Sequence, residues 1–210
     1  MIPAFPVYVF DVDGTLVDSE ADICGAVEDV LAARGRSDIS RAVLRRYIGR
    51  HLIDEFLEFG YALHEAEQML LEYRSIYSAR EHASTTVYPG VEASLARLGG
   101  RKSTATTKGT PTTRLVLERF ALLHHFDHVQ GTDGFPAKPA PDVLLKSLEV
   151  LGVRPSDCLF VGDSAADMEA GRRAGIATCA VTWGYGERDE LANHCPDFWI
   201  EAPHQLLPDY

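Results

Sequence analysis

Basic residues are scarce in this 210-residue chain: 20 Lys and Arg stand against 31 Asp and Glu, a formal net charge of −11. A surface of that sign has no general attraction for nucleic acid or an anionic membrane. Polynucleotide partners are therefore excluded, whereas small phosphate esters gripped by a few local cations are not. Cysteine is sparse as well. Cys24, Cys158, Cys179 and Cys195 form no CxxC pair, and Cys158 and Cys179 fall in apolar, strand-like runs, so a reduced, cytoplasmic protein is expected. Nowhere do 18 apolar residues run together, and Met1 to Phe10 lacks the basic start and apolar stretch of a signal peptide. Neither a secreted nor a membrane-spanning chain is expected. Internal repeats and low-complexity segments are missing too. What is present is ordinary for a globular protein, with 46% hydrophobic and 24% charged residues. The length suits one domain, or one domain with a sizeable insertion.

Two patterns of organisation follow one another. From Asp18 to Ala83 the apolar residues fall at helical spacing: Ile23, Val27, Val30 and Leu31; then Val43, Leu44, Tyr47 and Ile48; then Leu52, Ile53, Phe56 and Leu57; then Ala66, Met69, Leu70, Tyr73, Ile76 and Tyr77. Ser19-x-x-Asp22 reads as a capping box for the first of these helices. After Val87-Tyr88-Pro89-Gly90 strands and helices alternate. Strands are expected at 102–107, 128–131, 158–162, 176–181 and 198–200, with helices at 110–121, 141–151 and 164–174 and a helical tail near 204–207. Such alternation implies an α/β fold, a doubly wound parallel sheet with helices on both faces. The expected division is a core over 1–17 and 84–210 with a small α-helical insertion over 18–83.

The chemistry is concentrated where strands end. Val7-Tyr8-Val9-Phe10 is a short apolar run that stops at Asp11-Val12-Asp13-Gly14-Thr15. In open α/β sheets ligands bind at the carboxyl ends of strands, so both acids would face a candidate active site. One carboxylate there could attack phosphorus and the other serve as acid and base; the alternative is that they merely end a strand and begin a turn. Val161-Gly162-Asp163-Ser164-Ala165-Ala166-Asp167 repeats the arrangement, with Asp163 after a strand and Asp167 about one helical turn later. Asp167 has a structural alternative of its own, since Ser164-x-x-Asp167 is also a capping box. Four clustered carboxylates would raise one another's pKa unless a divalent cation shields them, and an oxygen-rich pocket is what Mg²⁺ prefers. Positive charge for a phosphoryl group could come from Lys138, held in a loop stiffened by Pro139 and Pro141, unless that lysine is a solvated surface residue. Thr106 and Thr107 close a strand, where a hydroxyl could donate to a phosphoryl oxygen, although threonine is common in strands anyway.

In this order the pieces resemble the haloacid dehalogenase superfamily. Asp11-x-Asp13-Gly14-Thr15-Leu16-x-Asp18 is similar to its first motif and Thr106 to the hydroxyl of its second. Lys138 is similar to the lysine of its third motif, and Gly162-Asp163-Ser164-x-x-Asp167 to its fourth. Thr106-Thr107-Lys108, Lys138-Pro139-Ala140-Pro141-Asp142 and Val181-Thr182-Trp183-Gly184-Tyr185-Gly186 look most like the phosphoglycolate phosphatases within it. The resemblance implies a Rossmann-like core with a mobile helical cap, an Asp11 nucleophile and Asp13 as general acid and base. It also implies Mg²⁺ held by Asp11, Asp163, the Asp13 backbone carbonyl and Asp167 (directly or through water), with the phosphoryl group held by Thr106, Lys138 and N–H groups around Gly14. An aspartate at position 13 suits phosphate esters, whose alkoxide leaving group needs a proton, and not a dehalogenase.

The reaction so implied is hydrolysis of a small phosphorylated metabolite, phosphoglycolate-like, through an aspartyl phosphate, by a monomer or homodimer. A sugar phosphomutase of the β-phosphoglucomutase type and a non-catalytic regulatory module are the alternatives. Substrate choice would rest with the helical insertion. Gly49-Arg50-His51 is its best loop for reaching the substrate, with Arg50 placed to pair with a carboxylate or second phosphate. A solvent-facing arginine at a helix boundary is the equal alternative. His124, His125 and His128 read as surface histidines, and Trp183 and Trp199 as packing residues.

Overall fold

The computed structural model describes residues 2–208. Strand β1 (Val7–Phe10) is buried along its whole length, as a β-branched and aromatic run covered on both faces must be. A tight turn leads to a short strand β2 (Val17–Asp18), which carries the chain into four helices: α1 (Glu20–Ala32), α2 (Arg41–Arg45), α3 (Leu52–Glu58) and α4 (Leu63–Ala79). The chain returns through β3 (Thr86–Val87), antiparallel to β2, with Val17 opposite Val87. Then come α5 (Val91–Arg97), β4 (Arg101–Thr104), α6 (Thr110–Arg119), α7 (Asp142–Leu151), β5 (Cys158–Gly162), α8 (Ala165–Ala174), β6 (Ala177–Val181), α9 (Arg188–Ala192) and β7 (Phe198–Ile200).

The main sheet has the order β4-β1-β5-β6-β7, and each pairing in it is parallel. Side chains alternate between its faces, as the two-residue period of a strand requires. Tyr8, Phe10, Leu159 and Val161 point to one side, against Val91, Leu95, Val116 and Leu117 of α5 and α6. Val7, Val9, Cys158 and Phe160 point to the other, against Val143, Leu144 and Leu148 of α7 and Ala170 and Ala174 of α8. The chain leaves β1 for β4 on one side and comes back to β5 on the other. The strand order therefore reverses at β1, the position where open α/β sheets place their sites.

The four inserted helices close around a separate apolar cluster that includes Val27, Leu31, Leu44, Phe56, Met69 and Tyr73. Entry and exit are tied together by Asp22 of α1, whose Oδ2 accepts from Ser84 N–H at 3.0 Å and Thr85 Oγ1 at 2.7 Å. That use of Asp22 departs from the expected capping box. Ser19 does precede α1 but makes no side-chain cap, because its hydroxyl donates instead to Asp13 Oδ1 at 2.5 Å. A second departure lies at 128–131, where no strand forms. Only a single bridge joins Thr106 to Gly131, since Thr104 Oγ1 already bonds both backbone groups of Gln130, its carbonyl and its N–H. Among the described residues no helix is long and apolar enough to cross a membrane.

Candidate active site

Asp11 is the first residue beyond β1, and its N–H still donates to Val161 O at 2.9 Å, so the sheet register aims the side chain. Asp163 holds the same position after β5, and Asp167 lies in the first turn of α8. An oxygen from each of these three buried carboxylates lies within 4.8 Å of the others. Lys138 reaches them from the loop before α7, with Nζ 2.8 Å from Asp11 Oδ1 and 2.5 Å from Asp167 Oδ1, its side chain fully buried. One ammonium does not balance three carboxylates. Burial pushes the Asp11 carboxyl up to about 7, Lys138 opposing and Asp167 and Asp13 adding to the rise. Asp163 stands well above the usual carboxylate range, through burial first and then Asp167 and Asp11. Burial works against the Lys138 ammonium, but the two aspartates outweigh it and hold its pKa above the ordinary lysine value.

Two further loops hold the cluster. Thr15 Oγ1 donates to Asp163 Oδ1 at 3.0 Å and Tyr185 N–H to Asp163 Oδ2 at 2.8 Å. Both loops approach so closely that no side chain fits. A Cβ on Gly14 would stand 2.2 Å from Asp163 Oδ2, and one on Gly184 would stand 2.3 Å from Asp163 Cβ. Gly14 also adopts φ +83°, which favours glycine. Its own N–H donates to Val17 O at 2.9 Å. That amide is therefore committed to the turn, while the missing side chain lets the loop approach Asp163. Asp167 forms the capping box read from the sequence, its Oδ2 taking the N–H and hydroxyl of Ser164 at 2.9 and 2.6 Å, while its Oδ1 meets Lys138.

Asp13 sits two residues on, with Oδ1 bonded by Ser19 and Oδ2 lying 3.2 Å from Lys108 Nζ. Lys108 was not among the expected site residues. It lies just past the threonines that close the β4 segment, and its ammonium also donates to Tyr77 Oη of α4 at 2.8 Å, above the ring of the same tyrosine. Sequence adjacency to Thr106 and Thr107 was the available signal; the contact with an inserted helix was invisible. Burial opposes the Lys108 charge, yet Asp13 and the two tyrosines Tyr77 and Tyr73 outweigh it and hold the ammonium protonated. Tyr185 was also missed as a site residue. Its N–H binds Asp163, and its phenol oxygen meets Ser19 N–H at 2.7 Å and Asp18 Oδ1 at 3.0 Å beside β2.

Above this floor lies a cavity of about 960 Å³ between the sheet end and the inserted helices. Asp11, Asp13, Thr106, Thr107 and Lys108 border it from below, and Tyr47, Gly49, Arg50, His51, Glu55 and Tyr73 from above. Lys138, Asp163, Asp167 and Gly14 lie behind that floor. Thr107 does not keep a free hydroxyl for a ligand: it donates to Gly49 O at 2.7 Å, linking the sheet end to the loop of Arg50 and His51. Arg50 borders the cavity but is paired with Glu58 and stacked 4.7 Å over Tyr47. His124, His125 and His128, and Trp183 and Trp199, are not among the residues that line the cavity. His128 Nδ1 bonds Ser103 Oγ, Trp183 packs beside Tyr88 and donates to Thr15 O, and Arg188 lies over Trp199.

An oxygen-only set of buried carboxylates with excess negative charge suits a hard metal cation. Asp11 Oδ1, although at ion-pair distance from Lys138, accepts no directed hydrogen bond, which leaves a lone pair for such an ion. The residues present thus fit a metal. Residues 8–181 match the model of the haloacid dehalogenase-like hydrolases. The chain belongs to this family. It is accordingly an enzyme, a phosphatase of phosphate monoesters, and the non-catalytic alternative falls away. Relatives include phosphoglycolate phosphatase 1 of Pseudomonas aeruginosa, 35% identical over 95% of this chain and 78% of its own. The phosphoglycolate phosphatase of Aquifex aeolicus is 34% identical over 96% and 94%. Among solved structures, a haloacid dehalogenase-like family hydrolase from Streptococcus pneumoniae superposes with a TM-score of 0.89 at 27% identity, over 96% of both chains. A hydrolase from Pseudomonas syringae gives 0.82 at 26%, over 96% and 95%.

Proposed function

We propose that this phosphatase hydrolyses a small phosphate monoester of the phosphoglycolate type, using Asp11 as nucleophile. The observation that carries the reading is the buried Asp11 carboxylate at the floor of the cavity, beside Lys138 and two residues from Asp13. Asp11 attacks phosphorus and takes the phosphoryl group, while Asp13 gives a proton to the leaving alkoxide. Asp13 then takes a proton from the water that attacks the aspartyl phosphate, and Asp11 is regenerated as phosphate leaves. Lys138 and the Thr106 hydroxyl hold the phosphoryl oxygens. Asp11, Asp163, Asp167 and the Asp13 carbonyl would hold Mg²⁺, which when bound supplies charge neutralisation for those oxygens. The inserted helices act as a cap that shuts bulk solvent out of the site during the reaction. The relatives named as phosphoglycolate phosphatases support the choice of ester, and the lack of any general basic surface agrees with a small substrate rather than a polynucleotide.

Phosphate release by the purified chain with Mg²⁺, measured against phosphoglycolate, sugar phosphates, nucleotides and pyrophosphate, tests the reading. Phosphoglycolate is expected to give the highest kcat/KM. Asp11→Asn is expected to lower turnover by about 10⁴-fold or more, as loss of a covalent nucleophile does. Isomerised sugar phosphate in place of free phosphate would instead make the enzyme a mutase.

A further inference from the structure

Glu55, in the first helical turns of α3, lines the cavity from above, yet only 2% of the residue is exposed and its Oε1 has no hydrogen-bond partner among the described residues. A buried polar atom without a partner is costly and calls for an explanation. Its surroundings supply none. The charged groups that act on it are Arg50, which favours its charged form, and Glu58, which opposes it, and these two are paired with each other. From α1 it faces the Cys24 thiol, from α4 the Tyr73 phenol, and from the α2–α3 loop the Tyr47 phenol, all uncharged at neutral pH. Burial accordingly pushes the Glu55 carboxyl up to about 8.

We propose that Glu55 is the specificity-determining residue of the inserted helices, and that it donates its proton to the carboxylate at the non-phosphoryl end of the substrate. This rests on the phosphoglycolate-type reading and names how that carboxylate is recognised. A neutral acid donates a hydrogen bond where a glutamate anion would repel. Of the cations that line the cavity, Arg50, nearest to Glu55 in the chain, is already held by Glu58 and Lys108 by Asp13, while Arg74 and Arg119 border it from α4 and α6. A shared proton between the two carboxyl groups leaves the pair with a single negative charge.

The test compares KM and kcat for phosphoglycolate and for ethyl phosphate, which has the same length but no carboxylate, across pH 6 to 9.5. Loss of a hydrogen bond to a charged group corresponds to roughly 10- to 100-fold in affinity. Glu55→Ala is therefore expected to raise KM for phosphoglycolate by at least tenfold more than for ethyl phosphate, with kcat changing less than KM. In the wild type, KM for phosphoglycolate is expected to climb above about pH 8 as the proton is lost. Glu55→Gln, an isosteric donor that cannot ionise, is expected to restore binding to within about threefold of the wild type at pH 7 and to abolish the climb. Equal effects of Glu55→Ala on both esters, or an alkaline climb that survives in Glu55→Gln, would overturn the assignment and leave the phosphoglycolate reading standing. Turnover of other esters but not of phosphoglycolate by the wild type would overturn both.

Discussion

The sheet end and the inserted helices bury carboxyl groups under opposite conditions. Asp11, Asp163 and Asp167 are packed together around Lys138, with donors from Thr15, Tyr185 and Ser164. Glu55 is buried with, among the described residues, no ion pair and no hydrogen-bond partner for its Oε1. The first arrangement is a crowded negative cluster that one cation only partly relieves, so it suits a metal cation. The second is a single acid kept neutral by its surroundings, which suits it to donate a proton in a hydrogen bond. Charge balance thus separates the part of the site that performs the reaction from the part that would select the substrate.

Removing the cation tests the first half of the contrast most severely. Lys138→Met leaves three buried carboxylates without an ammonium, and breaking a buried pair costs about 3–5 kcal/mol. That loss is expected in urea unfolding at pH 8, and it should shrink toward pH 5, where the aspartates can take up protons. The second half is exposed by pH alone. Because the folded-state pKa of Glu55 lies near 8, above its ordinary value of 4.5, its stabilising contribution is complete in acid. It is lost as pH rises through about 8. Between pH 5 and pH 9 the wild type is expected to lose on the order of 3 kcal/mol more than Glu55→Gln; parallel curves would show that Glu55 ionises freely.

A divalent cation should act on the sheet end and not on the inserted helices. Mg²⁺ at a hundred times its dissociation constant is expected to add about 2.7 kcal/mol to stability, read as a rise in Tm that chelator reverses. Asp163→Asn should remove most of that rise, whereas Glu55→Gln should keep it. The smallest effect concerns the tie between the two regions. Tyr185→Phe keeps the N–H on Asp163 but loses the phenol bonds to Ser19 and Asp18 beside β2, worth about 0.5–1.5 kcal/mol. A thermal melt measures it.

How legible these residues are in the sequence depends on how local their causes are. Asp11, Asp163 and Asp167 follow apolar strands by one or a few positions, so a strand-then-acid pattern in the sequence is enough to point at them. Lys138 is legible for its proline-rich loop and its place in the order of motifs. Ser19 and Asp22 mislead because their spacing matches a capping box, while in the fold one binds Asp13 and the other Ser84 and Thr85. Glu55 looks like an ordinary acid in the first turn of a helix, where the dipole favours it. Lys108 and Tyr185 carry no pattern of their own, since each acts through a contact with a distant segment.

The amino-acid order by itself determined the alternation that makes the parallel sheet, the helical insertion after β1, and the aspartates that end the strands, because each is governed by neighbours within a few residues. Only the tertiary structure decided which polar groups lose water and which partners they then find. Thr15 meets Asp163, Lys108 joins Asp13 to Tyr77, Arg50 is taken by Glu58, and Glu55 Oε1 is left without a hydrogen-bond partner among the described residues. Desolvation is a property of the folded volume rather than of the chain. For that reason the reaction could be read from the sequence, while the group that would choose the substrate emerged only from the packing.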